Sequence, residues 1–452
     1  MNGDVRQARE RAFALHAAGD PVASLAVVNV LLACDRSDPY LLNLAATCLR
    51  ESGDPAGAEA MWVEALRIHP GLAGVWINLG NLWAEAGAFR EAEDALREAL
   101  RLAPKLADAW FNLAILLVET RRPDEAESAY RRVLELQPDH ADAVYNLSLL
   151  LLSHGRFQEG WPLHEARHHP AKSARQSHPI AAAFPMWRGE DLTGRSLLVV
   201  PEQGFGDQIQ FCRYLPELKA RGVARLTCAV HPWLRELFAT LDGVDAVVEA
   251  GGDYPEHDYW TFPLSIPRHL GGAIPARLPY LRVPEGRSAR LGALENHIRV
   301  GLVWKGSPTN RNDSNRSIPS LRVLSPLWAV SGISWFSLCK QGEREELPAG
   351  QPLTDLSGTL RDFADTAAII AGLDLVIAVD TAVVHLAGAL QRPCWVMLSA
   401  LGTDWRWMHE RDDSPWYPGC VRLFRQTRPG DWSDVVVRVA DALRCLVRVA
   451  EH

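Results

Sequence analysis

The stretch WINLGNLWAEAGAFREAEDALREALRLAP (76–104) holds the pattern that decides the first part of the fold. Its apolar residues recur at helical spacing over 76–87, and Gly87 can supply the left-handed residue that ends a helix. The segment 89–104 is again amphipathic, and Pro104 prevents its helix from continuing. The stretch therefore predicts two helices joined by a tight turn.

The same pattern returns every 34 residues, which marks an internal repeat. Positions one period apart carry glycine, proline, alanine, asparagine and leucine: Gly19, Gly53, Gly87 and Gly155; Pro70, Pro104 and Pro138; Ala58, Ala92 and Ala126; Asn78, Asn112 and Asn146; Leu79, Leu113 and Leu147. Arg121 interrupts the glycine column. A single helix pair cannot bury its apolar face, so neighbouring pairs stack into a superhelix. We predict about five repeats over residues 1–170.

Two uses of such an array are open. Its concave surface can bind a peptide or partner protein, or the array can mediate self-association or act as a spacer. The asparagine column has the same two interpretations. Its amides can grip a peptide backbone in the groove, because they both donate and accept, or they can bond within the array.

The period stops in residues 157–195, a stretch rich in Pro, Ser, His and basic residues. We predict a linker over 171–195. His154, His164, His168, His169 and His178 lack regularly spaced carboxylate or Cys partners, so we expect a solvated segment rather than a metal site.

The rest of the chain alternates short apolar runs with amphipathic segments, as parallel sheets with crossover helices do. Strand-like runs occupy 196–200, 225–230, 245–250, 299–304, 333–339, 373–379 and 394–398. Their two groups predict two Rossmann-like halves, an N-terminal one over 196–290 and a C-terminal one over 291–452. The amphipathic segment 431–450 is expected to form a closing helix that packs back across the cleft between the halves.

The first candidate site segment, PEQGFGDQIQFCRYLPEL (201–218), directly follows a strand. Gly204 and Gly206 let the backbone turn sharply and leave room for a ligand. Asp207 then opens a helix at the carboxyl edge of a parallel sheet, where α/β proteins bind ligands. Its carboxylate can simply cap the helix, or it can act as a general base toward an acceptor hydroxyl.

The second segment, DLVIAVDTAVVHLAGALQRPCWVML (374–398), has a strand that ends at Asp380. A helix then opens at Thr381 and Ala382, and its free amides and dipole favour a phosphate group. His385, one turn further, can hydrogen-bond a phosphate or sugar hydroxyl. The simpler alternative makes Asp380 and Thr381 helix caps and His385 a packed core residue.

The third segment, VWKGSPTNRNDSNRSIPSL (303–321), runs from a strand end into a polar loop. Lys305 and Arg316 are cations of the kind that neutralise a leaving diphosphate. A generic solvated loop is the alternative.

Composition excludes several classes of partner. A formal net charge of −8 provides no general attraction to nucleic acid or an anionic membrane, and we expect neither as a partner. No apolar run is long enough to span a bilayer, and the N-terminus lacks a secretory signal. The eight cysteines have no CxxC spacing. We therefore expect a cytoplasmic protein.

Four stretches resemble the heptosyltransferase-like branch of GT-B glycosyltransferases, in the form fused to tetratricopeptide repeats. They are EQGFGDQIQFCRYLP, GLVWKGSPTNRNDSNRSIP, VDTAVVHLAGAL and the Trp-rich segment that begins at Asp404. Such fusions are similar to protein and flagellin O-glycosyltransferases, whose arrays recruit the acceptor protein. The resemblance implies an array followed by the two Rossmann-like domains of a GT-B fold.

For the site, the resemblance implies that Asp207 is the base and that Asp380, Thr381, Ala382 and His385 bind the donor diphosphate and sugar. Lys305, or next Arg316, would contact the phosphates. The implied activity is transfer of a sugar from a nucleotide-sugar to an acceptor hydroxyl, with Ser or Thr of a recruited protein as a candidate. The nucleotide-sugar is a substrate, and no cofactor or metal is expected.

One residue and one stretch of sequence depart from the family pattern. Ala382 stands where the family turn has Gly, and the stretch DWRWMHERDDSPWYP (404–418) lies outside the usual heptosyltransferase pattern. Ala382 keeps open an alternative, a non-catalytic scaffold with a degenerate transferase domain. In the Trp-rich stretch, Trp405, Trp407, Trp416 and Tyr417 can stack on a base or sugar, or they can be core residues.

Overall fold

The protein divides into two compact units, Met1–Leu150 and Leu151–His452. The structure, a computed structural model, describes residues 2–170, 184–289, 291–292, 297–340 and 352–450. The first unit is helical and the second contains two parallel sheets, so the predicted fold class is confirmed.

The first unit is a series of helices that pack as consecutive pairs. Their bounds are α1 Asn2–Ala17, α2 Pro21–Cys34, α3 Pro39–Glu51, α4 Pro55–Ile68, α5 Ala73–Glu85, α6 Phe89–Leu102, α7 Ala107–Glu119, α8 Pro123–Leu136 and α9 Ala141–Ser153. Asp20 and Asp54, one period apart, cap α2 and α4 by accepting backbone N–H bonds at 2.9 Å.

The turns between paired helices explain the glycine column. Gly19, Gly53, Gly87 and Gly155 have positive φ angles of 80°, 87°, 76° and 72°. Arg121 adopts the same left-handed conformation with φ 58°. A non-glycine residue there carries a strain of roughly 1–3 kcal/mol, so the rest of the repeat imposes the turn even where glycine is missing.

Small residues allow the paired helices to approach closely. Ala92 is fully buried, and a Cβ added to Gly80 would lie 2.8 Å from Leu96 Cγ and 3.2 Å from the Ala92 carbonyl oxygen. This close packing between α5 and α6 has no room for a larger side chain.

The asparagines of the array bond to one another and to buried rings. Asn43 Oδ1 accepts from Trp62 Nε1 at 2.9 Å and from Asn78 Nδ2 at 3.2 Å. Asn146 shares a hydrogen bond with the buried Tyr130. These contacts support the structural interpretation of the asparagine column at Asn78 and Asn146.

The second unit begins with a short helix and with parts of the predicted linker. Helix α10 spans Phe157–His164. Residues 171–183 of the predicted linker lie outside the described residues. Residues 184–195 pack on the first sheet, where Trp187 is buried and its backbone N–H donates to the Trp260 carbonyl at 2.7 Å. The domain boundaries drawn from the sequence stay predictions.

The first half of this unit has a parallel sheet in the order β3-β2-β1-β4. Its elements are β1 Ser196–Val199, α11 Phe205–Phe211, α12 Leu215–Ala220, β2 Arg225–Val230, α13 Arg235–Phe238, β3 Ala246–Glu249, β4 Tyr259–Thr261 and α14 Ile266–His269. Strands β1, β2 and β3 lie within the predicted runs. The three-residue β4 was not predicted.

The second half has a parallel sheet in the order β10-β9-β8-β5-β6-β7. Its elements are β5 Ile298–Val303, α15 Asp313–Arg316, α16 Ser325–Trp328, β6 Ile333–Ser337, β7 Leu353–Asp355, α17 Phe363–Gly372, β8 Leu375–Val379, α18 Ala382–Ala389, β9 Cys394–Leu398, β10 Val421–Arg425 and α19 Ser433–Ala450. The predicted strands correspond to β5, β6, β8 and β9. Helix α19 packs on α16 and β10 of this half.

This strand order brings the candidate segments together. Strand β8 lies between β5 and β9, so the loops that leave their carboxyl ends share one edge of the sheet. Those loops contain the polar segment 304–317, the turn at Asp380 and the start of the Trp-rich segment. No helix among the described residues has the length and apolar content needed to cross a membrane.

Asn43→Ala should lower the free energy of unfolding of the array by roughly 1–3 kcal/mol, because it leaves the buried Trp62 indole N–H without its acceptor. Chemical denaturation followed by circular dichroism measures the loss. Asn112→Ala is the matched control, since no hydrogen bond of the Asn112 side chain is found within the described residues. Equal stabilities of the two variants would contradict the structural role of Asn43.

Candidate functional site

Helix α11 carries Asp207 at the carboxyl edge of the first sheet. Gly204 is the residue before the helix, with φ −64° and ψ 175°, a conformation open to any residue. Asp207 lies in the first turn, and its side chain is 19% exposed. The carboxylate is thus largely buried but reaches solvent on one side.

The turn after β8 forms the opposing part of the site. Thr381 is the extended residue before α18, with φ −146° and ψ 169°. Its hydroxyl Oγ1 is buried and has no hydrogen-bond partner among the described residues. An unpaired buried hydroxyl at a helix N-terminus is a ready donor for an anionic ligand.

Ala382, the first residue of α18, occupies the place of the family glycine. The non-glycine residues with positive φ in the described part of the chain are Arg121, Gln391, Met408 and Glu410. Ala382 is not among them, so its backbone conformation imposes no requirement for glycine.

The two helix starts are in direct contact. A Cβ added to Gly206 would lie 2.8 Å from His385 Cδ2 and 3.5 Å from Ala382 Cα. Gly206 therefore allows α11 of the first half to touch the turn of the second half. The structure brings together Gly206, Asp207, Ala382 and His385, which are far apart in sequence.

His385 is held in one orientation. Its Nδ1 lies 2.9 Å from Tyr417 Oη, and its ring stacks on Trp407 with centroids 5.4 Å apart and planes 15° from parallel. Burial, with help from Arg406 and Arg213, lowers the pKa of His385 well below its ordinary value. His385 is therefore a neutral ring at neutral pH.

Arg316 joins the turn, whereas Lys305 does not. Arg316 Nη1 donates to the Asp380 carbonyl at 3.2 Å, and its guanidinium packs directly over Gly306. Within the described residues, the hydrogen bond of Lys305 Nζ is a long one, 3.5 Å to the Pro319 carbonyl. Of the two predicted cations, Arg316 is the one placed beside Asp380.

Arg406 completes the site, although it was not among the predicted residues. It is 6% exposed and is bonded to three acceptors. Its Nη2 pairs with Asp207 Oδ1, its Nη1 donates to Asp404 Oδ2 at 2.8 Å, and its Nε donates to Gln210 Oε1 at 2.5 Å. Asp207 and Gln210 belong to the first half, so this arginine links the two halves.

The pKa values of both site carboxyls, Asp207 and Asp380, are raised by burial and by neighbouring carboxylates. Burial raises the pKa of Asp207, and the Arg406 guanidinium opposes the rise. Burial, with the neighbouring Asp404 carboxylate, raises the pKa of Asp380 to about 6. Trp407, Arg316 and Arg406 limit that second shift.

The aromatic residues of the Trp-rich segment are core residues. Trp405, Trp407, Trp416 and Tyr417 are 8%, 0%, 1% and 0% exposed. Trp405 packs edge-on against Trp161, with centroids 5.4 Å apart. A signal for Arg406 was present in the sequence, because an arginine between two tryptophans must find acceptors if the segment is buried.

The histidines near the linker were expected to be solvated, but His164 is buried. This residue is 1% exposed and lies against Trp161 and Trp405. Burial lowers the pKa of His164 well below its ordinary value. The expectation was wrong there because His164 falls on α10, within an aromatic core. His178 lies outside the described residues.

The chain combines a helical repeat array with an α/β unit that has polar loops at the carboxyl edge of its second sheet. Family comparisons identify tetratricopeptide repeats at residues 49–110 and 111–160 and a glycosyltransferase family 9 (heptosyltransferase) match at residues 338–396. The chain therefore carries tetratricopeptide repeats and a heptosyltransferase-like region. The latter match includes the turn from Asp380 to His385 but not Asp207, Lys305 or Arg316.

The chain is similar to Protein FlbA of Caulobacter vibrioides, with 31% identity over 331 residues, which is 65% of this chain and 53% of FlbA. It thus spans about half the length of that relative. Among solved structures, MamA has 20% identity and a TM-score of 0.33, covering 36% of this chain and 96% of MamA. The pilF protein of Pseudomonas aeruginosa has 18% identity and a TM-score of 0.34, covering 36% of this chain and 76% of pilF.

Gly206→Ala should destabilise the protein by roughly 1–3 kcal/mol, because the added methyl group overlaps a histidine ring that Trp407 and Tyr417 hold in place. Thermal and chemical denaturation measure the change. Gly204→Ala is the matched control, since a Cβ there would meet Asp207 Oδ2 at an ordinary 3.5 Å. A Gly206 variant as stable as the Gly204 variant would contradict the close contact.

Asp380→Asn should become more stable relative to the wild type as pH rises from 4 to 7, by up to about 3 kcal/mol. The pKa of Asp380 is raised in the folded state from 3.8 to about 6. The unfolded chain therefore releases the proton first, and wild-type stability falls across that interval. Denaturant unfolding at several pH values measures the difference.

Asp374, at the other end of β8, provides the control for this pH dependence. It pairs with Arg299, which lowers the pKa of Asp374 despite partial burial. Its stabilising contribution is therefore fully present above the ordinary pKa and is lost only in stronger acid, so Asp374→Asn should show little pH dependence between pH 4 and 7. A pH-independent difference for the Asp380 variant would contradict the raised pKa.

Proposed function

We propose that the protein transfers a sugar from a nucleotide-sugar donor to an acceptor hydroxyl. The observation that carries the proposal is the meeting of α11 and the Asp380–His385 turn. A carboxylate from one half thereby lies beside the helix start of the other. The family 9 match and the likeness to FlbA support glycosyl transfer as the general class of activity.

The donor would bind on the second half. The free amides at the start of α18, the unpaired Thr381 hydroxyl and Arg316 offer hydrogen bonds and positive charge to the donor diphosphate. Lys305, at the end of β5, can swing toward the same phosphates because only a weak hydrogen bond holds it. Asp380 and the uncharged imidazole of His385 would contact the sugar.

The acceptor would approach Asp207. In the reaction, the acceptor oxygen forms a bond to the anomeric carbon, and the bond from that carbon to the phosphate oxygen breaks. The electron pair leaves with the nucleotide diphosphate, and the acceptor proton passes to Asp207. Arg406 occupies Oδ1 of Asp207, so Oδ2 would be the oxygen that accepts the proton.

We favour Ser or Thr of a protein as the acceptor, recruited by the tetratricopeptide repeats. Arrays of this kind offer extended concave surfaces to partner chains. Ala382, the feature that favoured a scaffold without activity, has an unstrained backbone. The transferase is therefore the better supported of the two functions.

Asp207→Asn should bind the donor normally but lose roughly 10²- to 10⁴-fold in turnover, because the amide cannot accept the acceptor proton. Calorimetry with UDP-, GDP-, ADP- and CMP-linked sugars identifies the donor, and label transfer to Ser- or Thr-containing peptides and to small alcohols measures turnover. A folded Asn variant with normal turnover would remove Asp207 from the reaction.

Asp242→Asn is the matched control for this experiment. Asp242 is also an arginine-paired carboxylate of the first half, but it is 39% exposed and contacts Arg277 and Arg282 on the surface. It should retain full turnover. If the wild-type protein binds none of the four donor classes, the scaffold function is favoured instead.

A further inference from the structure

Arg406 is a tightly constrained charged side chain at the interface between the two halves. Its side chain is 7% exposed, and its guanidinium lies over the rings of Trp405 and Phe211, at 4.7 and 5.6 Å. These rings leave the planar group little freedom to turn. A buried cation is tolerated only where acceptors surround it, and here each arm has one.

The three acceptors give the guanidinium a fixed direction. Asp404 binds Nη1 and also accepts the backbone N–H of Arg406 at 2.9 Å, so the arginine is fixed at both ends. Gln210 and Asp207 lie one helical turn apart on α11 and receive Nε and Nη2. The planar fork of arginine can satisfy these acceptors at once, whereas a lysine ammonium cannot match its geometry.

This arrangement leaves the two oxygens of Asp207 in different states. Oδ1 is occupied by Arg406, while Oδ2 lies beside Gly204, whose backbone N–H also hydrogen-bonds the carboxylate. With the side chain 19% exposed, the carboxylate retains access to an entering molecule.

We propose that Arg406 is a positioning residue for the transfer reaction, fixing Oδ1 of Asp207 so that Oδ2 receives the proton of the acceptor hydroxyl. The proposal rests on the proposed function, and it assigns a role to the Trp-rich segment 404–418. Asp404 would support the role by holding the arginine in place.

The charges around Asp207 strengthen this assignment. Asp404 and Glu202 are the carboxylates that act on Asp207, and Arg406 is the cation that counters them. Asp380, His385 and His164 also face Arg406. Burial raises the pKa of Asp207, so loss of Arg406 would leave the carboxyl protonated over a wider pH range and unable to act as a base.

The test compares Arg406→Gln and Arg406→Lys with the wild type in the full chain. Donor affinity is measured by calorimetry, and kcat and KM for label transfer are measured from pH 5 to 9. We expect roughly 10²-fold lower kcat for the Gln variant and a shift of the acidic limb upward by about one pH unit or more. The donor Kd should change by less than about threefold.

The Lys variant keeps the charge but not the fork. The acidic limb of its pH–rate profile should stay nearer to that of the wild type. Its kcat should fall, because lysine cannot hold the Asp207 carboxylate in the same orientation. This variant also serves if Arg406→Gln fails to fold. Wild-type kcat and pH profile in either folded variant would overturn the proposal.

Arg411→Gln is the matched control from the same segment. Arg411 pairs with Asp413 at 2.8 Å, but its side chain is 40% exposed and lies outside the site. This variant should keep wild-type kcat and pH profile. An equal loss in the Arg411 variant would show a general effect of the segment and would overturn the specific role of Arg406.

A second readout separates this proposal from the proposed function. Carbon-13 NMR of aspartate-labelled protein follows the titration of Asp207, whose signal is assigned by its loss in Asp207→Asn. The pKa of Asp207 should be higher in Arg406→Gln than in the wild type even without any donor. An unchanged titration overturns the positioning role, whereas absence of transfer by the wild type with every donor overturns the proposed function alone.

Discussion

The buried guanidinium of Arg406 is the interaction on which the candidate site depends. A charge removed from water must be compensated by nearby acceptors, and the compensation here comes from both halves of the second unit. Asp404 lies in the arginine's own segment, whereas Asp207 and Gln210 lie on α11. Moving the halves apart would leave this buried charge without its acceptors on α11. Arg406 therefore fixes where Asp207 lies relative to the turn after β8.

Arg213 makes the reciprocal contact, from the first half to the second. It is 2% exposed, donates to the Trp416 carbonyl at 2.7 Å, and lies over the rings of Tyr280 and Tyr417, at 4.6 and 4.9 Å. Tyr417 in turn holds His385. The orientation of His385 therefore depends on a cation that belongs to the other half.

A third arginine lies on the segment that connects the halves. Arg287 pairs with Glu236 of the first half at 2.7 Å and with Asp362 and Asp365 of the second at 2.9 and 2.6 Å. Unlike Arg406, this cluster is close to the surface, where ion pairs contribute less. The geometry of the site is thus set chiefly by the two buried arginines, each of which pairs with the opposite half.

The sequence by itself determined the repeat, the parallel α/β character and the turns at Asp207 and Asp380, because these follow from local periodicity and from apolar runs. It did not indicate β4, β7 or β10, whose three to five residues carry mixed polarity and become strands only beside a neighbour. Only the tertiary structure decided that Arg406 meets Asp207, across 199 positions of chain. Local patterns report which face of an element is buried, but the partner of a buried charge is chosen by packing between distant segments.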